Sequence, residues 1–191
     1  MAQITLKNLV IAPLTTETVG SAPTYSAGMK AGNLMRANTS WNRSDVRLYG
    51  DDKLQAKDNS VTSGTITIGT TYLDRSALSM LFNYSTSGTG DNSRYLMSAE
   101  ASPHVGVGYV WKDALKATKP FTAVWLYKVQ FSMNEDMSTR GESTEYGTPE
   151  MEGTIFPVYP DSSGMAIVRE EGDFATETAA IAYINGKAGI T

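Results

Sequence analysis

Residues 121–133 read FTAVWLYKVQFSM and alternate with strict regularity, which limits what this chain can fold into. Phe121, Ala123, Trp125, Tyr127, Val129, Phe131 and Met133 fall on one side of a period of two. Thr122, Val124, Leu126, Lys128, Gln130 and Ser132 fall on the other. Side chains on a strand point alternately to opposite faces, so the spacing predicts a long β-strand with one fully apolar face. Val124 and Leu126 make the middle of the second face apolar too, which predicts that part of it is also covered. The chain then breaks at Asn134, Glu135 and Asp136, crosses a polar, Gly-bearing loop over 138–147 and returns as a second strand over 148–156. The remaining residues have to supply partners for this pair.

They supply mostly short strands. Residues 4–13 open with one, 27–36 offer a weak one interrupted by Gly28 and Gly32, and 15–25 read as a loop with Gly20 and Pro23. In 61–73, Thr65, Ile66, Thr67 and Ile68 alternate and use the β-branched residues that suit a pleated, half-buried surface. Residues 95–100 and 165–169 are short strand candidates, and 104–111 alternates again, with Gly106 and Gly108 predicting a bulge or a close backbone approach. Asp74 predicts a helix cap for 74–84, where Leu73, Ala77 and Leu81 recur at intervals of four. Asp173 and Gly186 predict the ends of a second, C-terminal helix over 174–185. Residues 85–93 read as a flexible loop. The fold class expected is mainly β, a β-sandwich or barrel-like domain with one flanking helix and a C-terminal helix.

Residues 39–59 stand apart. They carry Arg43, Asp45, Arg47, Asp51, Asp52, Lys53, Lys57 and Asp58, with a brief strand candidate at 46–49. A charged stretch of this length is a mobile loop or an arm that orders against another chain. Residues 41–60 are therefore expected to form an extended arm on a single domain spanning 1–191, with Arg43, Asp45, Arg47, Tyr49, Asp51, Asp52 and Lys53 as its contact residues.

Bulk properties narrow the function classes. At 191 residues the chain is one domain on the usual size prior, and 41% apolar content supports a core. The absence of cysteine removes disulfides, thiolate metal sites and thiol nucleophiles. No basic segment leading into a sustained apolar run marks a signal peptide, and no apolar run is long enough to span a bilayer. A net charge of -4 argues against gripping nucleic acid, which needs clustered Lys and Arg.

Catalytic patterns are sparse. His104 is the only histidine, beside Pro103 at the start of a strand, with no partner motif. Acidic pairs occur at Asp51/Asp52, Glu135/Asp136, Glu150/Glu152 and Glu170/Glu171, most of them read as flanking turns. Glu150 and Glu152 differ, because a spacing of two puts both on one face of a strand and makes that face negative. The GxG pairs at 88–90 and 106–108 lack the rest of a dinucleotide fingerprint, and no phosphate loop, EF-hand loop or nucleophile elbow occurs. The aromatics Trp111, Trp125, Tyr127 and Phe131 alternate with other apolar residues and read as core. No enzyme activity, cofactor or metal is expected. Long two-sided strands with a charged arm point instead to surfaces made for other copies of the same chain.

A family likeness runs through the same residues. Leu6-Lys7-Asn8-Leu9 with Ala12-Pro13-Leu14, then Leu48-Tyr49-Gly50-Asp51-Asp52, then Val124-Trp125-Leu126-Tyr127-Lys128 with Phe131, follow one another in order. The turn at Glu135/Asp136, Thr139-Arg140-Gly141-Glu142, Thr148-Pro149 and Gly153-Thr154 complete the series. This collinear set resembles the major tail proteins of long-tailed phages of Gram-positive bacteria over about residues 6–156. The resemblance implies a structural virion protein, made in the host cytoplasm and built into the virion tail. Such subunits form hexameric rings that stack into a hollow tail tube, the conduit for DNA ejection. Its implied partners are other copies of itself, the tape measure protein, and the tail-tip and tail-terminator proteins, with DNA only in transit and no membrane. On this reading Glu150 and Glu152 are expected to line the lumen. The same residues also fit the tube of a phage-tail-like bacteriocin, and a β-sandwich carbohydrate-binding module is the competing class.

Overall fold

The computed structural model describes residues 3–51, 53–132 and 149–190. Asp52, Met133, the turn at Asn134–Asp136, the loop over 138–147 and Thr148 lie outside the described residues. In chain order the strands are β1 (Gln3–Thr16), β2 (Thr24–Tyr25), β3 (Met29–Lys30), β4 (Leu34–Arg43), β5 (Arg47–Gly50), β6 (Lys53–Lys57) and β7 (Val61–Thr70). Helix α1 (Arg75–Phe82) follows, then β8 (Ser85–Ser87), β9 (Arg94–Leu96), β10 (His104–Asp113), β11 (Phe121–Ser132), β12 (Glu150–Ile155), β13 (Arg169–Phe174) and helix α2 (Glu177–Ala188). Nine strands form one antiparallel sheet in the order β2-β1-β10-β11-β12-β7-β4, with β13 also on β11 and β3 also on β1. The pairs β5–β6 and β8–β9 are separate hairpins. The expectation of a mainly β protein with two helices holds.

Although they sit near opposite ends of the strand order, β1 and β4 come into contact. The sheet therefore curls toward a barrel around an inner core. Leu9 and Ile11 of β1, Val107 of β10, Val124 and Phe131 of β11, Ile66 and Ile68 of β7, and Ala77, Leu81 and Phe82 of α1 meet there. A second core lies on the outer face of the sheet. Val10, Ala12, Ala123, Trp125 and Tyr127 are covered there by Ala180, Ile184 and Ala188 of α2.

The single apolar face predicted for residues 121–133 is corrected by a bulge. From Val105 to Val107 on β10, the partners on β11 step from Val129 to Leu126, so two residues of β11, Tyr127 and Lys128, oppose Gly106 alone on β10. The extra residue switches the faces midway. Ala123, Trp125 and Tyr127 face α2, whereas Val124, Leu126, Val129 and Phe131 all belong to the inner core. The free edge of β11 forks at the same place. Residues Phe121 to Leu126 pair with β13, and Val129 to Ser132 pair with β12. A similar switch occurs in β1, where Asn8 takes φ 57° and the register shifts between Lys7 and Val10. Asn tolerates this left-handed conformation better than most side chains.

The bulge expected at Gly106 and Gly108 has its extra residue on β11 instead, and what approaches the two glycines is a side chain. The bulge lies beside Gly106, and a Cβ there would stand 2.5 Å from Cζ2 of Trp125, while one on Gly108 would stand 2.8 Å from its Cε3. The two glycines leave room for the indole to lie across β10.

Helix α1 begins as predicted, with the Asp74 carboxylate accepting from Ser76 N at 3.3 Å, and it ends at Asn83 with φ 57°. Helix α2 starts later than predicted. Asp173 is held in β13, where its carboxylate accepts from Thr122 Oγ1 and Lys116 Nζ, each at 2.7 Å. Thr176 caps the helix instead, accepting from Ala179 N at 3.3 Å, and Gly186 is internal while Gly189, at φ 67°, ends it. Other expectations are also corrected. Residues 27–36 split into β3 and the start of β4, 85–93 includes β8 rather than being wholly loop, and 165–169 contributes an isolated bridge from Ile167 to Val158 before β13. Glu170 and Glu171, read as flanking a turn, sit within β13.

Candidate functional site

Two exposed surfaces hold the residues that sequence reasoning singled out. The first is the arm. Strands β4 and β7 pair along their full length as far as Arg43 opposite Val61. The chain beyond them continues as the β5–β6 hairpin, in which Arg47 pairs with Lys57, Leu48 with Ala56, Tyr49 with Leu54 and Gly50 with Lys53. The stretch 41–60 thus carries a β-hairpin that extends from the end of the β4–β7 pair.

Charges fasten its base. Asp45 accepts from Arg47 Nη2 at 2.8 Å and Lys57 Nζ at 2.9 Å, and Arg43 Nη1 donates to the Asn59 carbonyl at 3.2 Å. The Arg47 and Lys57 partners hold the Asp45 carboxyl below the usual range, and Asp45 in turn raises Arg47. Asp58 accepts from Ser60 N at 3.0 Å and is also held low, chiefly by that backbone donor. Pairs this exposed contribute little stability, and a two-stranded hairpin in water is marginal by itself.

Among the described residues, none covers its apolar side chains. Val46, Leu48, Tyr49 and Leu54 are 67%, 63%, 60% and 53% exposed, and none of them joins either core. Asp51 sits at the tip with φ 50°, next to exposed Lys53. Of the predicted arm residues, Arg43, Asp45, Arg47, Tyr49, Asp51 and Lys53 are brought together on this hairpin, and Asp52 is outside the described residues. Val46, Leu48 and Leu54 were absent from the predicted set. The brief strand candidate at 46–49 contains Val46 and Leu48, whereas Leu54 lies outside it on β6.

The second surface is the outward face of β11, β12, β7 and β4. Rows of paired residues cross it. Ser132, Glu152, Thr67 and Asn38 form one row, and Gln130, Thr154, Thr65 and Ser40 the next. Arg36 and Glu150 flank Gly69 in a third row and pair at 3.1 Å. The intervening Met151, Ile155, Ile66 and Ile68 are buried in the inner core, so Glu150 and Glu152 share the solvent face as the spacing predicted. Arg36 offsets Glu150, and Glu152 makes no ion pair among the described residues. The face is an even sheet of Ser, Thr, Asn and Gln with a small negative excess. The polar rows escaped sequence reasoning because the registers of β4, β7 and β12 had to be known first.

A third polar cluster joins α2 to the sheet. The Glu170 carboxylate accepts from Tyr127 Oη, Tyr183 Oη and, at 2.8 Å, Lys187 Nζ. Burial opposes its charge, but these donors hold its pKa below the usual range. Burial and the Glu170 charge push both phenols up. Tyr25 donates to the Tyr127 carbonyl at 2.8 Å, and burial raises it to about 12. His104 stands edge-on to Phe156 at 5.6 Å between ring centroids, and burial lowers its pKa. Among the described residues no group of His, Asp and Glu is arranged to hold a metal ion, and no helix is long and apolar enough to cross a membrane.

No family model matches the chain, and no curated protein matches it.

Proposed function

We propose that this chain is a structural subunit of a phage tail tube, polymerising as hexameric rings that stack around a lumen through which DNA leaves the virion. The observation that carries the reading is the β5–β6 hairpin. It leaves four large apolar side chains uncovered on a projection with no core of its own. Such a projection is a hazard in a monomer and an asset in a polymer, where a neighbouring copy covers it. The polar face of β11, β12, β7 and β4 supports the same reading. Hydroxyl and amide side chains with a slight negative excess give DNA no cluster of cations to bind, so the polymer slides past. Glu150 and Glu152 are the acids of this proposed lumen. The protein performs no catalysis in this role.

Electron microscopy of the purified protein at high concentration, beside its mass in solution, tests the reading. Rings or open-centred tubes are expected, either alone or after addition of the tail-tip complex as initiator. A protein that stays monomeric with the initiator present overturns it and favours the carbohydrate-binding class. Changing both Glu150 and Glu152 to Lys is expected to slow DNA ejection from assembled virions while leaving tube length unchanged. Ejection at the normal rate would remove these two residues from the lumen.

A further inference from the structure

The arm projects from the Val61 end of β7, and α1 starts just past the Thr70 end. Ten residues of strand, at about 3.4 Å each, put the two sites about 30 Å apart. The far end carries the second hairpin. Tyr95, Leu96 and Met97 are exposed there, and Arg75 lies over the Tyr95 ring at 5.0 Å. Arg75, Ser76, Ser79, Thr86 and Tyr95 line a shallow depression between α1 and the hairpin. Asp74 is committed to capping α1, and neither Arg75 nor Arg94 has an acidic partner among the described residues.

The two ends complement each other. One presents exposed Leu48, Tyr49 and Leu54 around Asp51, an acid with no cationic partner among the described residues. The other presents exposed aromatic and aliphatic side chains around an unpaired cation. They cannot meet within one chain, because the stiff β4–β7 pair holds them apart. We infer that the arm of one copy docks on the α1, β8–β9 surface of a second copy, with Asp51 against Arg75 and the apolar residues of β5–β6 against Tyr95, Leu96 and Met97. The two patches differ, so the contact is head-to-tail and each copy keeps one unused patch for the next. The inference rests on the tube reading and adds to it which surface receives the arm.

The absence of cysteine makes the test clean. Lys53→Cys and Thr86→Cys variants, which keep both Asp51 and Arg75, mixed under assembling conditions and oxidised, are expected to form mixed disulfide dimers about tenfold above a control mixture of Lys53→Cys with Leu115→Cys, because docking raises the local thiol concentration. The double variant is expected to form a ladder of oligomers. Arg75→Glu is expected to weaken association about tenfold, and Asp51→Lys in the same chain to restore it. Circular dichroism checks that each variant folds. Cross-linking no greater than the control overturns the inference, as does a charge swap without rescue. Electron microscopy of the same samples separates the two ideas. Rings or tubes without the specific cross-link sink the docking site alone, a specific cross-link without rings or tubes sinks the tube reading alone, and the absence of both sinks both.

Discussion

At the scale of single residues, Glu170 is the side chain whose removal is most informative. It ties Tyr127 of β11 to Tyr183 and Lys187 of α2 through one carboxylate. Its folded-state pKa is depressed, so the stability it contributes is present above the ordinary carboxylate range and lost as pH falls through the folded value, below about pH 4. The two phenols work in the other direction. Raised in the fold, they contribute while neutral and lose that contribution as pH climbs past about 10. Glu170→Gln is expected to cost about 1 kcal/mol near neutrality and to flatten the acid limb of the stability curve, read from urea midpoints across pH. Gly106 tests sterics rather than charge. A methyl there meets Trp125 at 2.5 Å and Tyr25 at 2.6 Å, both held between sheet and helix. Gly106→Ala is expected to destabilise by about 1–3 kcal/mol, as overpacking of a filled core does, and a shifted denaturation midpoint with unchanged slope would show it.

At the scale of elements, the arm is separable from the body. Arg43 and Val61 are register partners, so a two-residue Asn-Gly turn can join them in place of residues 44–60. This deletion is expected to leave the thermal midpoint within a few degrees of the parent, because no residue of β5 or β6 joins either core, and to abolish assembly. Calorimetry and electron microscopy of the deletion variant check both halves. Elements were legible in the sequence where a local rule sufficed. Asp74 capped α1 as read, and the strict alternations of 104–111 and 121–131 lie on strands. The readings failed where a distant partner decided. Thr122 and Lys116 hold Asp173 in a strand although its composition suits a helix cap, and no periodicity shows a bulge that depends on the register of β10 against β11. The candidate surfaces divide in the same way. The arm and the shared face of Glu150 and Glu152 follow from local pattern, whereas the polar rows and the receptor around Arg75 exist only once strands are paired.

At the scale of the whole molecule, the two cores are one structure. Strands β1, β10 and β11 send residues to both, so neither core can be lost without the backbone that holds the other. Trp111 lies in the inner core and Trp125 beneath α2, which gives each a reporter. Variants retaining one of these indoles at a time are expected to show coincident unfolding curves, and Ile184→Ala, costing about 2–5 kcal/mol, to move both together. Separate transitions would mean that α2 and its face of the sheet form an independent unit.

The β5–β6 hairpin also sets how the molecule bears load. A pull on its tip draws β4 and β7 in the same direction, since both strands feed it, so their mutual ladder is not the one tested. Tension passes instead to the antiparallel ladder between β7 and β12, where Glu150 to Ile155 face Gly69 to Gly64, and from there into β11. Those hydrogen bonds lie across the line of pull and are loaded side by side rather than unzipped in sequence. A filament of copies gripped by their arms would therefore be stiff in extension, and its yield point would be set by the short β7–β12 seam.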